Sequence, residues 1–460
     1  MFKPKILLFA LFATVAMLAP ADGVKYVFLL IGDGYGANHC QLTESFLGRK
    51  LVMSQMPVNV LTSTTNVEGK TTDSGASGTA IACGVKTYNR AIGMGPDKQP
   101  VESLATKLHK KGFKIGMISS SPLTDATPAA HYAHQENRSM RKEIGLELAT
   151  SGISFAGGAG VHDPTTLDDL RQAGWDVITG DKVLDRVRPG VQTFVDKSPY
   201  TPWPGDAAPT GPTLAEYLVK AIEHLNQTEG FFIMLENGRI DYAGHGNDAA
   251  MVWREVQAFD EAVAVALAFQ TQHPDETLVI VTADHETGGL QIENLIPKQV
   301  PLLGNQQSPL SDLSWALDVL AEKLEGLEPD VVRLQRKTSL SKALATKIGI
   351  TFTAAESAGI MAFLDQVLDA KNPKDLLVKT VKDAAVMRDT RVGVRFTTGG
   401  HTSARVNTWV KGPGAETFRE PLENSDLPHL MQAIILPELL DTEYQQTRAA
   451  RLEASAGRTP

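Results

Sequence analysis

Short apolar runs bounded by glycine or polar residues recur along the chain, at residues 26–31, 114–118, 231–235 and 278–281. Each has the length of a strand and is rich in Val, Ile, Leu or Phe without clean alternation, as in strands covered on both faces. Helical patterns separate them: residues 101–111, residues 213–226 opened by Thr213 and Glu216 at capping-box spacing, and residues 251–269. Strands alternating with helices predict an α/β fold, a large central, mostly parallel β-sheet with helices on both faces. Residues 305–390 read differently. Long helical stretches at 313–324 and 354–368, interspersed with Lys, Glu and Asp, predict a helical insertion within a main domain spanning 22–440.

Composition narrows the function classes. The 460 residues are 42% hydrophobic and 21% charged, which excludes a disordered chain. The formal charge of -9 argues against a nucleic-acid-coating role. Lys3 and Lys5 precede an apolar run over residues 6–18, followed by Ala19-Pro20-Ala21 in a cleavage pattern. Residues 1–21 therefore read as a signal peptide, the run being too short to span a bilayer comfortably, although an uncleaved anchor is the alternative. The expected product is exported, periplasmic or secreted, with no stable membrane insertion after cleavage. Cys40 and Cys83 are too few to scaffold the chain; export permits a disulfide between them, and two free buried thiols are the other reading. The polar tail 441–460 predicts an exposed helix with a frayed end.

In parallel sheets ligands gather at the carboxyl ends of the strands. Here those ends carry the chemistry: Ile31 leads into Gly32-Asp33-Gly34, Leu235 into Glu236, Val281 into Thr282-Ala283-Asp284-His285, and Ser119 is soon followed by Asp125-Ala126-Thr127. Asp241 and His245 stand four apart, and His401 is preceded by two glycines. Oxygen and nitrogen donors of this kind suit zinc. Each alone is more often an ordinary hydrogen-bonded residue; their common placement at strand ends favours a metal site. The segment 71–80 is crowded with small residues, so a helix there packs closely and leaves free amides facing an anion, with Ser74 at its start. By itself the segment is a turn and a tightly packed helix. Gly32, Gly34 and Gly36 do not have dinucleotide-loop spacing, and Asp33 would repel a pyrophosphate.

Taken together, Ile31-Gly-Asp-Gly-Tyr-Gly36, Thr72-Asp-Ser-Gly-Ala-Ser77, Asp125-Ala-Thr-Pro-Ala-Ala130 with Tyr132-Ala-His134 and Arg138, Glu236, Ile240-Asp241 with His245, Thr282-Ala-Asp-His285 and Gly400-His-Thr402 resemble the alkaline phosphatase family of secreted bacterial enzymes, in the family's order. The resemblance implies metal-dependent hydrolysis of phosphate monoesters at alkaline pH through a phosphoserine on Ser74. It implies two zinc ions and one magnesium ion per subunit: Asp241, His245 and His401 for one zinc, Asp33, Asp284 and His285 for the second, and Asp33, Thr127 and Glu236 for magnesium, with Asp125 in its outer shell. Arg138 would bind two phosphate oxygens, aimed by Asp73, with Tyr242 as an auxiliary contact where relatives carry Lys, His or Trp. A homodimer is the family habit.

Two zinc ions about 4 Å apart would neutralise a phosphate dianion and hold the attacking and leaving oxygens in line. The planar fork of Arg138 suits two unsubstituted oxygens, hence monoesters. A phosphodiesterase or sulfatase would lack the combination of Arg138 with the magnesium ligands, and a binding protein with a decayed site would have lost ligands that are all present. Gly75 and Gly78 each cost a helix up to about 1 kcal/mol relative to alanine, which implies either a mobile site or closer packing. His134 reads as structural, and the basic cluster 107–111 as a solvated helix end.

Overall fold

The apolar runs at 26–31, 114–118, 231–235 and 278–281 become the four strands at the centre of a ten-stranded sheet. The fold is seen in a computed structural model that describes residues 23–199, 201–203, 210–226, 230–321, 328–439 and 442–456. The expected signal peptide lies outside these residues. Across the sheet the strands run Leu422–Glu423, Val58–Ser63, Val406–Lys411, Thr277–Thr282, Tyr26–Gly32, Phe231–Asn237, Lys114–Ser119, Phe155–Gly158, Thr193–Asp196 and Asp176–Thr179. All neighbours pair in parallel except Val406–Lys411, which is antiparallel to both strands beside it. The mostly parallel sheet expected from the sequence is therefore present, in mixed form.

Burial on both faces explains the unbroken apolar runs. Phe28, Leu30, Phe231, Ile233, Leu235, Val279 and Val281 face one apolar cluster, built with helices Leu214–Leu225 and Ala249–Gln272. Their alternates Val27, Leu29, Ile31, Phe232, Met234, Leu278 and Ile280 face a second, built with Leu104–Lys110 and Asp426–Ile435. The capping box read from Thr213 and Glu216 forms as such. The antiparallel strand escapes the apolar-run criterion because it carries polar residues. They are accommodated in the core by a chain of hydroxyls in which Thr408 meets Thr62 at 2.6 Å and Thr282 at 2.8 Å.

Four helices, Ser314–Ala321, Pro329–Ile348, Ala354–Asp369 and Lys374–Val392, occupy the segment read as helical and gather their own apolar cluster around Leu340, Leu344, Ile360, Leu364 and Val381. Helix Thr442–Ala456 is docked rather than merely exposed: Tyr444 donates to Asp426 at 3.0 Å, its ring stacks on His429, and Arg451 pairs with Asp426. Cys40 and Cys83 are buried, separate thiols, which resolves the open alternative against a disulfide. Among the described residues no helix is long and apolar enough to cross a membrane.

The close of strand Phe155–Gly158 depends on a glycine. Gly158 adopts φ 143°, and a Cβ there would lie 1.8 Å from the carbonyl oxygen of Ser119 on the neighbouring strand. That backbone is held by the sheet and cannot yield. Gly158→Ala is expected to destabilise the protein by about 3 kcal/mol or more, read as a fall in the urea unfolding midpoint.

Candidate active site

Parallel register sets the site. Ile31 lies beside Glu236 on one neighbouring strand and Thr282 on the other, and Glu236 lies beside Ser119. Whatever follows these residues emerges at the same sheet edge, and Asp33, Asp125, Glu236 and Asp284 do so. A small ribbon joins them: Glu286–Thr287 pairs with His401–Thr402, bringing His285 and His401 together although 116 positions separate them in sequence. Their rings stack with centroids 3.6 Å apart.

Helix Ser74–Cys83 points its start at this edge, and every one of its residues is buried. Its small side chains have a packing reason. A Cβ on Gly78 would come within 3.2 Å of the Thr127 Cα, and one on Gly75 within 3.0 Å of the Ala91 carbonyl oxygen. Closer packing, the second of the two readings of these glycines, is what the geometry shows. Asp73 caps the helix by accepting from Ala76 N at 3.0 Å and also accepts from Arg90 N at 2.8 Å. Ser77 Oγ donates to the carbonyl of Asp284 at 2.6 Å and accepts from Asn424 at 2.7 Å, which fixes the helix against the Asp284 strand end. Ser74 Oγ then lies 3.2 Å from His285 Nε2.

Two clusters of donor atoms surround that hydroxyl. In the first, His245 donates Nδ1–H to the Gly399 carbonyl at 2.7 Å, and His401 donates Nδ1–H to the Thr72 carbonyl at 2.9 Å. Carbonyls only accept, so each Nε2 presents its lone pair, and the two Nε2 atoms stand 3.1 Å apart. Asp241 completes the group, 3.3 Å from His245 Nε2 and 3.6 Å from His401 Nε2. In this tautomer three acceptors face one another, an arrangement that suits a cation among them, and donors on one tetrahedral zinc stand about 3.3 Å apart.

In the second cluster, His285 Nε2 lies 3.2 Å from Asp284 Oδ2 and 3.7 Å from Asp33 Oδ1. Both carboxylate oxygens are buried without any hydrogen-bond donor. Asp284 Oδ1 accepts from Gly34 N at 3.1 Å and His285 N at 2.9 Å, which aims Oδ2 inward. Thr287 Oγ1 donates to Asp241 at 2.6 Å and therefore accepts from His285 Nδ1 at 3.2 Å, so His285 Nε2 also presents a lone pair, within reach of the Ser74 hydroxyl. Burial, then the neighbouring charges of Asp284, Asp241 and Glu236, push the Asp33 carboxyl well up. Burial likewise raises Asp284 and Glu236. Burial opposes ionisation of Asp241 too, but in the metal-free chain a proton shared from His245, with nearby His285, outweighs it and brings that carboxyl down to about 2. The donor sets Asp33–Asp284–His285 and Asp241–His285–His401 each fall within 4.8 Å, so His285 touches both clusters.

Glu236 accepts from Ser119 and, at 2.8 Å, from Ser121, while the buried Thr127 hydroxyl nearby has no hydrogen-bond partner. Arg138 reaches Asp73 Oδ2 at 3.2 Å and Asp125 Oδ1 at 2.9 Å. Burial works against its charge, and the two carboxylates more than offset this. Tyr242 stands half-exposed at the rim, where burial and the charges of Asp125, Glu236, Asp33 and Asp241 raise its phenol. Every residue singled out from the sequence thus reaches this edge. His134 instead engages Glu147 through both its backbone N–H and its ring. Reading the sequence missed Thr287, which orients both Asp241 and His285, and Ser119 and Ser121, which hold Glu236. The serine run 119–121 directly after a strand was the available signal.

Comparison with known proteins agrees with this geometry. The family model described as alkaline phosphatase matches residues 24–158 and 191–436. Alkaline phosphatase 4 of Bacillus subtilis is 28% identical over 446 residues, covering 90% of this chain and 89% of that protein. The crystal structure of a cold-active alkaline phosphatase from the psychrophile Shewanella sp. superposes with a TM-score of 0.75 at 26% identity, over 89% of this chain and 99% of that one. Thermus thermophilus alkaline phosphatase shares the fold, with a TM-score of 0.73, 23% identity and coverage of 94% of this chain and 96% of that one. With candidate metal-binding clusters at the sheet edge, the chain belongs to the alkaline phosphatase family and is a hydrolase of phosphate monoesters.

Proposed function

We propose that hydrolysis proceeds through attack of Ser74 Oγ on phosphorus, with two zinc ions and one magnesium ion bound. The carrying observation is the position of Ser74: first residue of a buried helix, 3.2 Å from His285 Nε2, beside an Arg138 fork steadied by two carboxylates. Asp241, His245 and His401 would hold one zinc, Asp33, Asp284 and His285 the other, and Asp33, Thr127 and Glu236 the magnesium, with Asp125 contributing through water. The orphaned oxygens of Asp33, Asp284 and Thr127 and the two facing imidazole lone pairs fit such cations. When bound, these ions neutralise the phosphate dianion and stabilise the anionic forms of the nucleophile and the leaving group.

The chain's own groups do the rest. The amides opening helix Ser74–Cys83 face the phosphoryl group with the positive end of the helix dipole. Arg138 keeps N–H groups beyond those spent on Asp73 and Asp125, and its plane matches two non-bridging oxygens. A diester has one of these oxygens substituted, so monoesters are preferred. Ser74 Oγ, its proton given up to solvent, forms the bond to phosphorus as the bond to the alcohol oxygen breaks, and the alkoxide leaves and takes a proton from solvent. Water then attacks phosphorus, the Ser74 Oγ–P bond breaks, and inorganic phosphate departs. The half-exposed Tyr242 contacts the ester side at the rim. Few other groups touch the alcohol portion, which favours broad use of monoesters. Export to the periplasm or beyond, after removal of residues 1–21, and a homodimeric state complete the reading; N-terminal sequencing and light scattering test them.

Ser74→Ala is expected to lower kcat on an aryl phosphate by on the order of 10³-fold or more and to abolish the phosphoenzyme trapped by acid quench. Unchanged turnover with a trapped phosphoenzyme would exclude Ser74. Arg138→Ala should chiefly raise KM and weaken inhibition by inorganic phosphate, and Arg138→Lys should not restore either, since an ammonium lacks the planar fork.

Removing metal exposes the cost of the buried carboxylates. A carboxyl whose folded pKa is raised stabilises the fold below its unfolded value and loses that contribution as pH climbs through the folded value. For Asp284, pushed from 3.8 to about 6, this window opens near pH 4 and continues beyond pH 6 because Asp33 is also raised. Metal-stripped protein should therefore unfold at lower urea at pH about 8 than at pH about 5, and added zinc should reverse the difference. Asp284→Asn should shrink this pH difference, and an undiminished difference in that variant would exclude Asp284 as its source.

A further inference from the structure

The segment carrying the four helices is spliced into the chain between His285 and His401, and a buried polar chain returns from it to the turn after His245. Helix Arg239–Gly246, which bears Asp241 and His245, ends at Asn247 with φ 51°. The next residue, Asp248, is buried, and its carboxylate accepts Met251 N at 3.0 Å as the cap of helix Ala249–Gln272. The same carboxylate accepts Gln306 Nε2 at 3.0 Å on each oxygen and Leu310 N at 2.9 Å. Gln306, fully buried, in turn accepts from Arg388 through Oε1. Arg388 lies on the last helix, Lys374–Val392, is itself fully buried, and pairs with Asp389 at 2.7 Å.

Beyond that helix the chain is fastened step by step to the metal-ligand ribbon. Strand Val394–Phe396 pairs with Leu290–Ile292, Thr397 N donates to the Gly288 carbonyl at 3.1 Å, and Gly288 N donates to the Gly400 carbonyl at 2.9 Å. Gly399 accepts from His245 and Thr398 accepts from Asn247, so the turn after His245 is held from this side as well. One helix therefore governs both imidazoles of the first cluster, His401 through chain continuity and His245 through Gln306.

The geometry points to Gln306 as a positioning residue that couples the helical segment to the metal-binding helix and holds His245 and His401 at the separation one zinc ion needs. This rests on the proposed reading of His245 as a metal ligand. The polarity of the link explains why an amide occupies this position. Its N–H₂ faces the Asp248 carboxylate and its oxygen faces the Arg388 guanidinium, so a single side chain joins an anion to a cation inside the core. Neither Met nor Glu at 306 can satisfy both neighbours, and an unpaired group here is costly because it is sealed from water.

The test is the zinc affinity of the loaded enzyme, measured by competition with a chelator, together with recovery of kcat/KM on adding zinc. Gln306→Met should bind zinc about tenfold more weakly, with kcat/KM recovering at high zinc. Gln306→Glu should also weaken binding. Arg333→Met, which breaks the Arg333 pairs with Asp365 and Asp369 within the same helical segment, should leave zinc affinity unchanged. Parent affinity in Gln306→Met, or an equal loss in Arg333→Met, overturns the coupling. If Gln306→Met does not fold, Gln306→Glu decides, and parent zinc affinity in that variant overturns the coupling. A His245→Ala variant with parent zinc affinity overturns the ligand reading itself, whereas loss in His245→Ala beside no loss in Gln306→Met overturns only the role of Gln306.

Discussion

The structure is organised around carboxylates that are buried without donors. Asp33 Oδ1 and Asp284 Oδ2 point at each other's neighbourhood and at a histidine lone pair, with no N–H or O–H to receive. Left alone, such groups keep a proton, which is what burial and mutual repulsion do to Asp33 and Asp284. A bound dication reverses that preference and turns a liability of the fold into binding energy. The surrounding architecture is best understood as the means of forcing several anions into one dry volume at the carboxyl edge of the sheet.

That forcing takes place in backbone more than in side chains. Consecutive parallel strands in register deliver Asp33, Glu236 and Asp284 to the same height without any loop having to search for it. Gly34, with φ 80°, turns the chain so tightly that its N–H can hold Asp284 Oδ1, and a Cβ there would meet the Asp241 Cα at 2.7 Å. The loop after the first strand is therefore packed directly on the metal-ligand helix. Oxygen atoms that do find donors, Asp284 Oδ1 and Glu236 Oε2, leave their partner atoms aimed at the centre.

Much of this was legible in the sequence for a physical reason. Strands buried on both faces must be continuously apolar, so a carboxylate directly after such a run has one place to go. Asp33, Glu236 and Asp284 were found by that rule, while His401 was reached through its flanking glycines and the resemblance to a family. Strand Val406–Lys411 was not legible, because Thr408 is satisfied by cross-strand hydroxyls and Asn407 by the Asn59 amide, partners that a one-dimensional pattern does not reveal. Thr287 was missed for a similar reason: its importance lies in donating to Asp241 while accepting from His285, a relation between residues 46 positions apart in one case. The packing role of Gly75 and Gly78 likewise needed their neighbours across the helix.

The same distinction applies to Arg138. Sequence alone identifies a guanidinium suited to phosphate, but not whether it is free to act. In the fold it is tethered on two sides, to the cap residue of helix Ser74–Cys83 and to the cap residue of the short helix Ala126–Ala129. Both carboxylates already spend an oxygen on a backbone amide, so neither can follow the guanidinium if it moves. Arginine entropy is consequently lost during folding, so on the proposed reading an arriving phosphate would meet a fork already in plane. The negative charge that holds the fork also lowers its net attraction for a dianion. On the proposed reading, binding of phosphate would lean on cations held by the buried carboxylates, which would tie substrate recognition to metal occupancy.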